Sequence, residues 1–163
     1  MTTTTANPAT ATPAYSPDYA AYLAREAERT RLADELRPAN KAALLDALAA
    51  AGITLVVVAF DGCGDSGQIE SVTAWTGDKP IALPATIVEL AAPSWDGPDV
   101  ECRSEPVEKA IESLAYAFLK QTHGGWENND GAYGEFSFDV AARTIMLDYN
   151  ERYVATESYE HAF

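Results

Sequence analysis

Apolar residues recur along this chain at two spacings, and each spacing predicts a different element. Val107, Ile111, Leu114 and Phe118 fall at i, i+4, i+7 and i+11, which predicts a helix with one face on a sheet. Ser104 is its expected cap, and His123-Gly124 its expected end. Residues 39–51 predict another helix, with Leu44, Leu45 and Leu48 on one face and Gly52 as its stop. An earlier helix starts at Ser16-Pro17-Asp18, where a hydroxyl cap, a proline at the first position and an acid in the first turn coincide. It is expected to reach about Arg37, with Pro38 ending it or opening the next segment. Its apolar stripe (Tyr19, Tyr22, Leu23, Ala27, Ala33, Leu36) is thin.

Elsewhere the period is two, or absent. Ile53 to Phe60 is a near-continuous β-branched run, which predicts a central strand covered on both faces. Asp61 to Gly67 reads as a flexible polar turn, and Gln68 to Thr76 as the second strand of a hairpin. Ile81 to Leu90 fits either a short strand or a helical turn, and Pro93 to Glu101 a surface loop. Phe136, Phe138 and Val140 alternate with polar residues, as do Ile145, Leu147 and Tyr149, so a hairpin with one buried face is expected. Tyr153, Ala155, Tyr159 and Phe163 share a parity and predict a last strand. The expected order is ααββαβββ. That is an α+β fold, an antiparallel sheet of four to five strands with helices on one face. Residues 1–15, rich in Thr and Ala, lack periodicity and are expected to be a disordered tail before a single domain at 16–163.

Length and composition agree with one globular domain: 163 residues, 47% hydrophobic. No apolar run approaches the ~20 residues of a membrane span, and no basic-then-apolar leader opens the chain. Cys63 and Cys102 form no metal or disulfide spacing, so a reducing cytoplasm is the expected location.

Charge changes the picture more. The net charge is −14, and it is uneven. Residues 1–52 hold five Lys/Arg against six Asp/Glu, whereas residues 53–163 hold six against nineteen. Phosphate neutralisation needs clustered cations, so direct nucleic-acid binding by the second part is not expected. A basic protein surface is the expected partner, and a divalent cation the candidate ligand.

Two stretches carry the candidate chemistry. Asp61, Asp65 and Glu70 lie in a glycine-rich loop, where closely spaced carboxylates could hold a hard cation. The spacing matches no EF-hand, and the same acids could simply bond their own turn backbone. Cys63 is flanked by glycines and acids, which do not activate a thiol. The second stretch runs from His123 to Asp139. Here Trp126 and Tyr133 could wall a pocket, with His123, Glu127, Asn128, Asn129 and Asp130 as polar contacts. Equally, Trp126 could anchor the loop to the core while the asparagines satisfy backbone groups. If the first and third strands are antiparallel neighbours, the two loops meet at one sheet edge. Asp61, Asp65 and Asp130 are then the candidate metal ligands. If the second and third strands are neighbours instead, the composite site fails.

Phe-Asp-Gly-Cys-Gly-Asp-Ser-Gly-Gln-Ile-Glu at 60–70 and His-Gly-Gly-Trp-Glu-Asn-Asn-Asp-Gly-Ala-Tyr-Gly-Glu-Phe-Ser-Phe-Asp-Val at 123–140 resemble an uncharacterised group of small acidic bacterial proteins. That group is found mainly on plasmids, prophages and other mobile regions. The resemblance covers about residues 39–155. It implies accessory cargo, among which anti-defence proteins are common, and it transfers no catalytic residue.

Neither motif pairs a nucleophile with a base at a telling spacing, holds a phosphate-cradling Gly-Lys loop, or carries a Lys or Arg to bind an anionic substrate. An acidic, non-enzymatic interaction protein is therefore expected, an inhibitor of a host defence or nucleic-acid-processing complex. The competing expectation is a cation-dependent enzyme or a small-ligand-binding domain using the two loops. Deleting residues 1–15 should leave the thermal midpoint unchanged in calorimetry, and a clear drop would mean that the tail is docked.

Overall fold

The computed structural model describes residues 16–163, so the expected tail at 1–15 lies outside the described residues. Helix α1 spans Pro17–Ala50, with Ser16 Oγ accepting from the Tyr19 N–H at 3.3 Å. The expected break at Pro38 does not occur, and the two expected helices are one. Pro38 is exposed, so water can serve the carbonyl that its missing N–H leaves free. Tertiary ties also flank it. Asn40 exchanges side-chain bonds with the Ala91 backbone at 2.8 and 2.9 Å, and Arg37 bonds Gln121 at 2.9 Å.

Five strands form the main sheet: β1 Leu55–Cys63, β2 Ser66–Thr76, β3 Lys79–Ile81, then β6 Ala132–Asp139 and β7 Thr144–Glu151. Their order is β3-β2-β1-β6-β7, antiparallel throughout, with β1 in the middle. A separate two-stranded sheet pairs β4 Ile87–Pro93 with β5 Val100–Pro106. Helix α2, Val107–Thr122, follows directly. The architecture is α+β, but the order is αβββββαββ rather than ααββαβββ.

The expected surface loop survives as residues 94–99, the connection of the β4–β5 hairpin, and only its ends at Pro93 and Val100-Glu101 are strand. β5 reads Val-Glu-Cys-Arg-Ser-Glu-Pro, too polar for its alternation to stand out, and prolines mark the end of each strand. Ser104 consequently lies in β5 and caps nothing. The Val107 N–H instead donates to the Thr86 carbonyl at 2.9 Å. Residues 153–163 form no strand.

Both helices pack on one face of the main sheet. Leu44, Leu45 and Leu48 of α1 and Ile111, Leu114, Ala115 and Leu119 of α2 meet Val56, Val58, Phe60, Phe136 and Phe138. With both helices on that side, no element among the described residues covers the other face of β1. Leu55, Val57 and Ala59 are only half-buried on the other face. Phe118 sits at the rim of α2, half-buried, with its ring 6.3 Å from that of Phe136. No helix among the described residues is long and apolar enough to cross a membrane.

Phe138 has no exposed surface. Phe138→Ala should cost about 3–5 kcal/mol in urea unfolding, and Phe118→Ala clearly less. Equal losses would mean that the helix face is assigned wrongly.

Candidate functional site

The β1–β2 ladder continues to Cys63↔Ser66, so the expected flexible turn is only Gly64-Asp65. Both adopt the left-handed region, with φ of 59° and 63°, the two-residue type I′ turn that suits the strand twist. A bulge follows where Ala59 faces Ser71 but Phe60 faces Ile69, which leaves Glu70 unpaired in the ladder. The Ile69 N–H at this bulge donates to Tyr116 Oη of α2 at 2.9 Å.

β1 and β6 are antiparallel neighbours, with Asp61↔Tyr133 and Gly62↔Ala132 in register. The two motifs therefore meet. The Gly64 N–H donates to the Asn129 carbonyl at 2.9 Å, and the Asp65 N–H to the Glu127 carbonyl at 3.1 Å. Asp65 Oδ1 accepts from the Asn129 N–H at 3.1 Å. Asn129 itself takes a positive φ of 58°, which asparagine tolerates. The loop at 123–131 is thus zipped to the hairpin tip through backbone groups.

Trp126 and Tyr133 end on opposite faces of the sheet and do not wall one pocket. Trp126 lies on the helix side, edge-on to Phe60 at 5.4 Å and 82°. It covers Gly62 and Gly67, where an added Cβ would stand 2.6 and 2.4 Å from the indole. Tyr133 shares the outer face with its register partner Asp61. There the Arg152 guanidinium grips both Asp61 oxygens at 3.0 and 3.1 Å, and also the Gly62 carbonyl at 3.2 Å. It also stacks 4.6 Å from the Tyr133 ring. The Asp61 carboxylate raises the Arg152 pKa further above its ordinary range.

His123 ends α2 and stacks on Tyr149, with centroids 3.6 Å apart and rings 4° from parallel. Burial first, then the charges of Glu151 and Glu127, push the Tyr149 phenol above its usual pKa. Glu127 Oε2 is buried without a hydrogen-bond partner. Asn128 and Asp130 are exposed, and Glu70 is exposed while accepting from Gln68 Nε2 at 3.2 Å. Among the described residues, no group of three or more His, Cys, Asp or Glu side chains is placed to hold a metal ion.

Sequence reasoning missed Arg152 and Tyr149. Arg152 lies far from Asp61 in the chain, and only the β1–β6–β7 register brings them together. Tyr149 was visible as a buried-face residue of an alternating strand, but nothing marked it as the platform for His123.

A family model described as a family of unknown function (DUF6878) matches residues 36–163, and the chain belongs to that family. No curated protein and no solved structure matches the chain.

Gly67 has ordinary backbone angles, so its requirement is steric. Gly67→Ala should lower stability by about 1–3 kcal/mol through overpacking against Trp126. In a Trp126→Ala background the same change should cost little. A cost unchanged in that double-mutant cycle would show that strand, not ring, demands glycine.

Proposed function

We propose that this family member is a non-enzymatic acidic interaction protein whose uncovered sheet face docks on a basic protein surface. One observation carries the reading. Glu135 of β6 stands directly opposite Asp148 of β7, both exposed, on the face away from the helices. Directly opposed like charges in a ladder destabilise it. No ion pair to either is formed within the described chain. Asp139 adds a third carboxylate on the same face. An arginine or lysine supplied by a partner would relieve the opposition, which folding alone does not.

The rest of the charge pattern supports the same reading. Arg29, Arg37, Arg103 and Lys120 line a groove between α1, α2 and β5, away from that face. Asp61 is neutralised by Arg152. What remains on the outer face is therefore net acidic beside the apolar strip Leu55, Val57 and Ala59. Grooves that bind phosphate backbones are basic surfaces of the matching kind. We read the chain accordingly as mobile-element cargo that occupies such a groove in a host defence or nucleic-acid-processing complex.

The test is capture on the immobilised chain from a native host lysate, with mass spectrometry of what binds. A basic protein should be retained at physiological salt and released by about 0.5 M, where the Debye length shrinks to a few ångströms. Glu135→Gln with Asp148→Asn should abolish retention, while raising stability by about 0.2–1 kcal/mol as the opposition is relieved. Retention unchanged in that variant would overturn the reading. So would a thermal midpoint raised by calcium, magnesium or manganese in the parent but not in Asp61→Asn with Asp130→Asn, because that is the signature of a cation site.

A further inference from the structure

Residues 153–163 are exposed at every position, although they carry the alternation of a strand. Tyr153 is 84% exposed, Val154 76% and Tyr159 75%. Their contacts are local: Tyr159 donates to Glu157 at 2.6 Å, and the His161 and Phe163 rings lie 6.4 Å apart. The family match runs through the whole segment. Large apolar groups left in water at strand spacing call for a surface that the described residues do not supply.

Among the described residues, nothing pairs with the outer edge of β7. That strand is eight residues long and lies in unbroken register with β6. Thr-Ile-Met-Leu-Asp-Tyr-Asn-Glu contains no proline or lysine and its ladder has no bulge, so its charges, Asp148 and Glu151 near its end, are what blunts the edge, and the row from Thr144 to Leu147 carries none. On its helix side, Ile145, Leu147 and Tyr149 are only half-buried.

The segment cannot readily reach this edge in its own chain. The tightest fold-back, a two-residue hairpin, favours glycine or asparagine at positive φ. The residues after β7 are Arg152-Tyr153-Val154-Ala155, which include neither. Arg152 is also fixed on the β6 side, its N–H on the Gly131 carbonyl at 2.9 Å and its guanidinium on Asp61. Arg152 is thus held on the side of β6, opposite the free edge.

We propose that residues 153–163 of one copy add as a strand to the β7 edge of a second copy, reciprocally, in a closed two-fold dimer. Tyr159 and Phe163 then cover the Ile145–Leu147–Tyr149 row, because alternate residues of an added strand fall on one face. Reciprocal exchange is isologous and closes at two copies.

Light scattering over a broad range of concentration tests it on the full chain, on a chain ending at Arg152, and on Tyr159→Asp with Phe163→Asp. The full chain should weigh two copies, and both variants one. Hydrogen exchange should show β7 amides protected in the full chain and fast in the variants. If the shortened chain loses its circular dichroism, the double substitution carries the test. A full chain that stays at one copy overturns the proposal. So does a dimer that survives in a folded variant, an open-ended ladder of masses, or equal β7 protection in dimer and monomer.

Discussion

The loop before β6 can press on the end of β1, and β7 can close on β6, only because glycine stands at each of these contacts. A Cβ on Gly131 would stand 1.7 Å from the Gly62 carbonyl oxygen, and one on Gly134 would stand 1.9 Å from the Asp148 carbonyl. Gly131 also needs its positive φ of 75°. These glycines let the loop before β6 press against the hairpin tip, and let β7 close on β6. Trp126 then fills the space over Gly62 and Gly67, and Phe60 supplies the edge contact beneath it. The register follows from this approach. Shifting β6 by one residue would bring a side chain into the carbonyl and turn Phe136 and Phe138 into water. The polar density of the two motifs is thus largely a joint between three strands, and the candidate site is the outer surface of that joint.

How much of this was legible depends on whether the signal was local. Val107, Ile111 and Leu114 were readable because a helix buries at fixed spacing, and the β6–β7 hairpin because its alternation is complete. The meeting of the two loops was readable only as a condition, since strand order is a property of the whole sheet. Pro38 was misread because local propensity weighs a missing N–H without seeing the contacts of Asn40 and Arg37 around it. β5 was missed because its alternation is carried by Glu101, Arg103 and Glu105 rather than by apolar residues. Trp126 and Tyr133 were paired as walls by proximity in sequence. Their separation follows from the register, which puts Tyr133 beside outward-facing Asp61 while the indole sits over inward-facing Gly62.

The family match begins at residue 36, and the helix changes character near there. All the buried residues of α1 (Leu44, Leu45, Leu48) lie within the matched part. The preceding turns are held by surface contacts instead. Arg29 lies over the Trp95 ring at 3.9 Å and pairs with Glu26 at 3.0 Å, and Arg31 pairs with Glu28. Solvated pairs of this kind contribute little each. A long helix is held at one end by burial and at the other by a cation–ring contact on the β4–β5 loop. The part outside the match therefore adds little to the core and much to the surface above the hairpin.

Face and edge of the main sheet offer different chemistry, so the docking and the association proposed for them would not compete. The face offers carboxylates, whose attraction for a basic partner would weaken with salt. The edge offers backbone N–H and C=O groups and half-buried apolar residues, and neither depends on charge. If the exchanged strands join the two sheets into one, the two-fold runs perpendicular to it and both outer faces would point the same way. Glu135, Asp139 and Asp148 of each copy would then lie on one extended acidic surface. Two such patches at fixed spacing bind a long basic groove with an avidity that neither reaches alone, provided the groove spans both. Association through the edge would in this way strengthen docking through the face without any new contact to the partner. The cost is charge repulsion between copies, which an edge held by hydrogen bonds and apolar burial can bear better than one held by ion pairs.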